Sequence, residues 1–274
     1  MMNLDKIGIW SEIKLDIIKE YANAYTIILN KQSWCKGFVY IDAFAGAGQH
    51  ISKNTGDIID GSPYNALKVN LSFTEYYFID KLEERADIFQ KMAKDNPKIH
   101  AYHGDCNEIL IEKIFPSLSY DSYKRALCII DPYGLDITWK SIKKAAELKT
   151  IDIFINFSIM DINRNVLSEN LKDATQKNIE RMNAFWGDES WKKLMYKEQG
   201  TLFGETHSIK SEKYPLLATE YRLKLQKAGY KYVPEPILMR NTNNGPLYYL
   251  FFASQNKAAD DIVRDIFNKY RKYL

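Results

Sequence analysis

Acids and glycines that stand where apolar runs end are the residues of this sequence with chemistry to offer. In "VYIDAFAGAGQH", residues 39–50, a buried-looking run delivers Asp42, and Phe44, Gly46 and Gly48 follow in a loop with almost no bulk. Glycine lets a backbone approach another group closely and take positive φ without a Cβ penalty. The amino-acid part of a ligand can lie over such a loop, with Asp42 reaching toward its ammonium group; an ordinary glycine turn reads the same way, because a short glycine motif is weak evidence alone. "EYYFID" ends in Asp80, placed to accept both hydroxyls of a ribose or to cap the next helix. "KIHAYHGD" ends in Asp105, placed for the exocyclic amine of an adenine or again for a cap. "RALCIIDPYG" carries Asp131, Pro132 and Tyr133 at the end of a strongly apolar run. Packing explains this last motif poorly, since an unpaired buried carboxylate costs several kcal/mol.

The elements that must position these residues follow from periodicity. Residues 10–29 repeat apolar side chains at helical spacing, through Ile13, Ile17, Ile18, Tyr21, Tyr25 and Ile28. A strand is predicted at 38–44, then a polar loop "GQHISKNTGDIIDGSP" and a helix after Ser62 with Pro63 in its first turn. Strand and helix alternate from there through "EYYFID", "KIHAYHGD", "RALCIIDPYG" and "TIDIFINFS", which implies a parallel sheet covered on both faces. Residues 160–213 lose the strand pattern and are expected to form a helical insertion, a cap beside the substrate entrance that can be removed without losing the cofactor. "KYVPEPILMRN" and "GPLYYLFFAS" read as strands joined by the turn "TNNG", ahead of a last helix. The expectation is one doubly wound, seven-stranded Rossmann-like α/β domain over residues 1–274, with a terminal antiparallel strand pair.

Composition sets the outer bounds. The 274 residues carry a formal charge of +3, which permits a local basic face and does not by itself indicate nucleic acid. Three scattered cysteines, Cys35, Cys106 and Cys128, with no CxxC pair, suggest neither a disulfide framework nor a zinc site, and no metal is expected. No apolar run reaches the ~20 residues of a membrane span, and "MMNLDKIGIWSEIK" lacks a signal-peptide core, so a cytoplasmic protein without a membrane association is expected. Tyrosines among basic residues in "EYRLKLQKAGYKY" suit either a nucleic-acid backbone or a solvated helix face.

Four informative residues at four successive strand ends converge on one crevice, where ligands of open α/β sheets bind. Together they read as a site for S-adenosylmethionine, with Asp42, Phe44, Gly46, Gly48, Ser62, Asp80, Asp105 and Asp131 around the cofactor and Asp131, Pro132 and Tyr133 at the reacting end. Five βα units closed by an antiparallel pair are the layout of class I methyltransferases; a nucleotide-dependent dehydrogenase fits the terminal pair and "IIDPYG" less well. "VYIDAFAGAGQH", "DGSPYNAL", "YYFIDK" and "IIDPYGL", with the initial amphipathic helix, resemble the bacterial three-Cys-motif partner (TcmP) family. That resemblance implies a methyltransferase core akin to enzymes that methylate the N6 amino group of adenine in DNA or RNA, and it implies a three-Cys-motif protein as partner. It leaves open a non-catalytic, cofactor-binding role. Amino-methylating enzymes usually carry a polar residue, two prolines and an aromatic, whereas this chain has "DPYG" and lacks the second proline. Asn156, Ser158 and Arg164, in "NFSIMDINRN" after the fifth strand, are candidates for the substrate side.

Overall fold

The computed structural model describes residues 4–167, 171–200, 206–210 and 214–273. A two-residue strand β1 (Lys6–Ile7) precedes the helix α1 (Ile9–Asn30). Strand β2 (Gly37–Asp42) is followed by β3 (Gln49–Ser52), β4 (Ile58–Asp60) and the short helix α2 (Ser62–Leu67). Then come β5 (Glu75–Asp80), α3 (Glu83–Asp95), β6 (Ile99–His103), α4 (Cys106–Ile109), β7 (Lys124–Ile130), α5 (Trp139–Leu148) and β8 (Ile151–Phe157). The single turn α6 (Ile159–Asp161), α7 (Gln176–Trp186) and α8 (Ser190–Met195) lead to a hairpin of β9 (Tyr196–Gly200) and β10 (Thr206–Lys210). Helix α9 (Tyr214–Ala228), β11 (Ile237–Arg240), β12 (Pro246–Ala253) and α10 (Lys257–Arg271) complete the order.

Seven strands form the main sheet in the order β11-β12-β8-β7-β2-β5-β6. The five from β6 to β8 in that order are mutually parallel, while β12 runs antiparallel to both β8 and β11. This is the expected class I methyltransferase sheet, with its terminal antiparallel strands. Successive strands leave β2 in opposite directions, β5 on one side and β7 on the other, which opens the crevice at their carboxyl ends. Because β12 is reversed, its first residues lie at the same edge as the end of β8, with Tyr249 opposite Phe157.

The pleat divides the apolar residues between two cores. On β2, Phe38 and Tyr40 join a cluster with Tyr21 of α1, Phe89 of α3 and Phe267 of α10, whereas Val39 and Ile41 join Ile142 of α5, Phe185 of α7 and Tyr221 of α9. Both faces of a parallel sheet must be covered in this way, which is why its central strands read as continuous apolar runs.

Three readings of the sequence are corrected. The polar loop expected after β2 contains the antiparallel β3–β4 hairpin, which β1 extends into a small second sheet. Strands of three or four half-exposed residues carry too little alternation to signal themselves. Segment 160–213, expected to be helical, contains β9 and β10, although residues 168–170, 201–205 and 211–213 lie outside the described chain. Its helices are not a detachable cap either: Met182, Phe185, Trp186, Trp191 and Met195 are buried in the core that covers one face of the sheet. Among the described residues no helix is long and apolar enough to cross a membrane.

Candidate functional site

A cleft of about 980 Å³ lies along the carboxyl ends of the parallel strands. Its wall is drawn from the loop after β2, the ends of β5, β7 and β8, the start of α1 and the start of β12. That volume is in the range of small-molecule and cofactor pockets.

The glycine loop forms one wall through Ala43, Phe44, Ala45 and Gly46. Gly46 and Gly48 adopt φ of +61° and +78°, conformations that a side chain would strain. Gly48 is also sterically required, because a Cβ there would stand 2.4 Å from the Tyr64 ring. Asp42 lies beneath this loop and away from the cleft wall. Its carboxylate is 0 % exposed, accepts the Phe44 N–H at 3.3 Å and lies 3.4 Å from the Tyr40 hydroxyl. Burial pushes the Asp42 carboxyl up to about 7, with hydrogen bonds from Ser62 and Phe44 pulling the other way. The sequence reading turned this acid toward a ligand's ammonium; the structure gives it the turn to hold.

Asp80, at the end of β5, lines the cleft and divides its two oxygens between backbone donors. Oδ2 accepts from Gly46 N–H at 2.9 Å and Oδ1 from Leu82 N–H at 2.8 Å. Each oxygen keeps a further lone pair for a ligand hydroxyl. The cap reading is corrected, since the N-cap of α3 is Leu82 and Asp80 instead ties the glycine loop to the strand end while facing the cleft. Asp105 caps α4 through the Asn107 N–H at 2.8 Å and lines the far end of the cleft with Gly104 and Cys106. Ser62 lines the cleft as the first residue of α2, and its carbonyl accepts from the Tyr40 hydroxyl at 3.3 Å.

At the other end, Asp131 follows directly on β7 and faces two donors that sequence reasoning did not connect with it. The Lys14 ammonium of α1 is ion-paired to Oδ2, and Asn156 Nδ2 at the end of β8 donates to Oδ1 at 2.7 Å. Lys14 is buried and lies 5.2 Å from the centre of the Tyr248 ring, a cation–π contact made possible by the reversed β12. Its signal in the sequence is position: it precedes Ile17 and Ile18 by three and four residues, which puts a charge on the apolar stripe of an amphipathic helix, where lysine is rarely buried without a partner.

Tyr133 stands at the cleft mouth, 74 % exposed, and its hydroxyl donates to Asp5. Arg85 of α3 also binds Asp5, Nη2 to Oδ2 at 3.0 Å, and its guanidinium lies 6.0 Å from the centre of the Tyr133 ring. The segment before α1 is thus strapped to the end of the cleft that holds Tyr133. Pro132 lines the cleft beside Tyr133. Gly134 packs where a Cβ would come within 2.6 Å of Asp161 Oδ2, an oxygen paired with Arg181 at 3.0 Å. Ser158 caps α6 through the Asp161 N–H at 3.2 Å and lines the cleft, whereas Arg164 is exposed on the following turn and is not among the lining residues. His50, also unforeseen, faces the cleft with burial and Lys14 lowering its basicity.

No family model matches the sequence, and no curated protein matches it. Among solved structures the chain is similar to protein LPL1258 from Legionella pneumophila, at 13 % identity and a TM-score of 0.55, over 94 % of this chain and 92 % of that one. It is also similar to an S-adenosylmethionine-dependent methyltransferase from Clostridium acetobutylicum, at 11 % identity and a TM-score of 0.39, over 88 % and 92 % of the two chains. The first likeness shares the fold across nearly the whole chain. The strand order and the cleft at its switch point define the fold class as that of Rossmann-like, class I methyltransferases.

Proposed function

We propose that this protein is an S-adenosylmethionine-dependent methyltransferase acting on an amino nitrogen of a nucleic-acid base. The observation that carries the reading is the continuity of one cleft from Asp105 and Asp80, past the glycine loop, to the Asp131 carboxylate between Lys14 and Asn156. The residues present suit the cofactor: Gly46 has open space above its Cα, Asp80 keeps lone pairs for ribose hydroxyls, and Asp105, on the cleft wall, keeps acceptor capacity for an adenine amine. When bound, S-adenosylmethionine supplies a methyl group on a sulfonium, an electrophile that needs only a well-aimed nucleophile.

The chain's own residues supply the aim. Phe44 and Gly46 form the surface over which the cofactor lies, with Asp42 holding their turn, Gly48 packed behind it against Tyr64 and Ser62 closing the wall. Asp131 accepts an N–H of the target amine and leaves the nitrogen lone pair directed at the methyl group. Its oxygens already accept from Lys14 and Asn156, so positioning supplies the rate rather than strong base catalysis. Pro132 and the exposed Tyr133 ring offer a surface against which a base can stack.

The departure of "DPYG" from the double-proline pattern favours keeping a second reading, that of a cofactor-binding partner for a three-Cys-motif protein, which the TcmP resemblance implies. Calorimetry with S-adenosylhomocysteine tests the part common to both. Micromolar-scale binding, roughly −7 to −9 kcal/mol, is expected, and no binding by well-folded protein removes both readings.

A further inference from the structure

The amino ends of the strands carry a second surface with chemistry on it. Trp34 stands three residues before β2, and Tyr120 and Tyr123 lie in the turn that leads into β7. These two segments meet, because β2 and β7 are parallel neighbours with Gly37 opposite Lys124 and the Lys36 N–H donates to the Tyr123 carbonyl at 3.0 Å. The cleft lies at the other end of the same strands, about 20 Å away along the six residues of β2. All three rings are open to solvent, with Trp34 42 %, Tyr120 61 % and Tyr123 45 % exposed. The Arg125 guanidinium lies against two of them, 4.5 Å from the centre of the Trp34 ring and 5.1 Å from that of Tyr120. The Lys36 ammonium lies 4.9 Å from the centre of the Tyr123 ring.

Charge and backbone mark this patch as more than surface filling. Among the described residues neither Arg125 nor Lys36 has a carboxylate within ion-pair distance, whereas the adjacent Lys124 is neutralised by Glu75 at 2.6 Å. Residues 31–36 and 119–125 hold four cations and one acid, Asp121. Tyr123 adopts φ of +57°, where a bulky side chain is an outlier and glycine the unstrained choice. Burial does not offset that cost, since the ring is exposed. Exposed rings with unpaired cations against them suit a single nucleic-acid strand, whose bases stack on the rings in any sequence while its phosphates meet the cations. An acidic protein segment would satisfy the cations and leave the three rings without planar partners.

We infer that Trp34, Lys36, Tyr120, Tyr123 and Arg125 form a second nucleic-acid contact, which stacks on unpaired bases of the substrate outside the one in the cleft. The choice of a nucleic acid as occupant rests on the function proposed above, but the patch itself needs neither Asp131 nor the cofactor. Fluorescence polarisation with the full chain tests it, in saturating S-adenosylhomocysteine so that no probe base enters the cofactor region. The probes are a single-stranded oligothymidylate and an abasic strand of equal length, which keeps the phosphates and lacks the bases. Wild-type protein should bind the oligothymidylate at least about tenfold more tightly, the scale of base stacking on aromatic side chains. Trp34→Leu with Tyr120→Leu should bring the two strands to within about twofold of each other, with S-adenosylhomocysteine affinity retained. Arg125→Lys keeps the charge and loses the planar group, and its reduced preference serves if the double variant does not fold. Lys36→Gln should make the dependence of log affinity on log salt shallower by about 0.7, one phosphate contact. Wild-type protein that binds neither strand or both equally overturns the inference, as does a double variant that keeps the preference, which would place the stacking in the cleft. Displacement of the oligothymidylate by polyglutamate of equal charge also overturns it and marks a surface for an acidic protein. Failure of S-adenosylhomocysteine to bind is a different result: it removes the cofactor reading, and the strand preference measured without it still decides the patch.

Discussion

At the scale of single residues, the sequence made the acids visible and hid what holds them. Asp80, Asp105 and Asp131 were legible because each ends an apolar run, and the structure brings all three to one cleft. Lys14 and Asn156 were not connected to Asp131 because their contacts span 117 and 25 residues of chain and are made by the fold. If Asp80 receives the ribose, Asp80→Ala should weaken S-adenosylhomocysteine binding by about 1–3 kcal/mol, the scale of charge-assisted hydrogen bonds; unchanged affinity in calorimetry would leave it a tie between the glycine loop and the strand end. Asp42 makes a prediction about pH. Its folded pKa of about 7 stands above the 3.8 of an ordinary aspartate. The native state therefore holds a proton that the unfolded chain releases, and stability should fall as pH rises from about 4 through about 7. Asp152, raised to about 6 by burial, adds to the same trend. Asp42→Asn mimics the protonated acid, so denaturant melts should show a shallower fall and, at pH 8, a gain of about 2–4 kcal/mol. An unaltered pH profile would contradict the burial argument.

At the scale of elements, the main-sheet strands and long helices were legible because their apolar periodicity is strong, whereas β3, β4, β9 and β10 are short and half polar. The insertion was misread for a related reason: its Trp186 and Trp191 look like surface aromatics among charges until α7 and α8 are seen to lay them against the core. Deleting 160–213 with a short linker should therefore abolish the cooperative thermal transition, since truncating a single buried Trp or Phe already costs about 3–5 kcal/mol. A deletion variant that melts normally and binds S-adenosylhomocysteine would restore the detachable-cap reading. The turn after Asp131 is equally committed. Rebuilding the double-proline pattern by Tyr133→Pro with Gly134→Tyr drives a Cβ to within 2.6 Å of Asp161 Oδ2. The expected outcome is a lower melting temperature, with no gain of activity.

At the scale of the whole molecule, a reversed strand, a strapped N-terminal segment and a switch in strand order combine to set one carboxylate, that of Asp131, in the cleft between Lys14 and Asn156. Fold class was legible from the order of elements alone; the surroundings of Asp131 required α1, β8 and β12 to be brought together, which no local pattern announces. The central claim is that Asp131 positions an amine for methylation. Incubation with methyl-labelled S-adenosylmethionine and total DNA or RNA, followed by digestion to nucleosides, tests it most directly. The account predicts label on the amino nitrogen of adenine or cytosine, reduced by about 100-fold in Asp131→Ala, the scale of a lost positioning contact. Label on a ring carbon or a ribose oxygen, or equal labelling by Asp131→Ala, would contradict it.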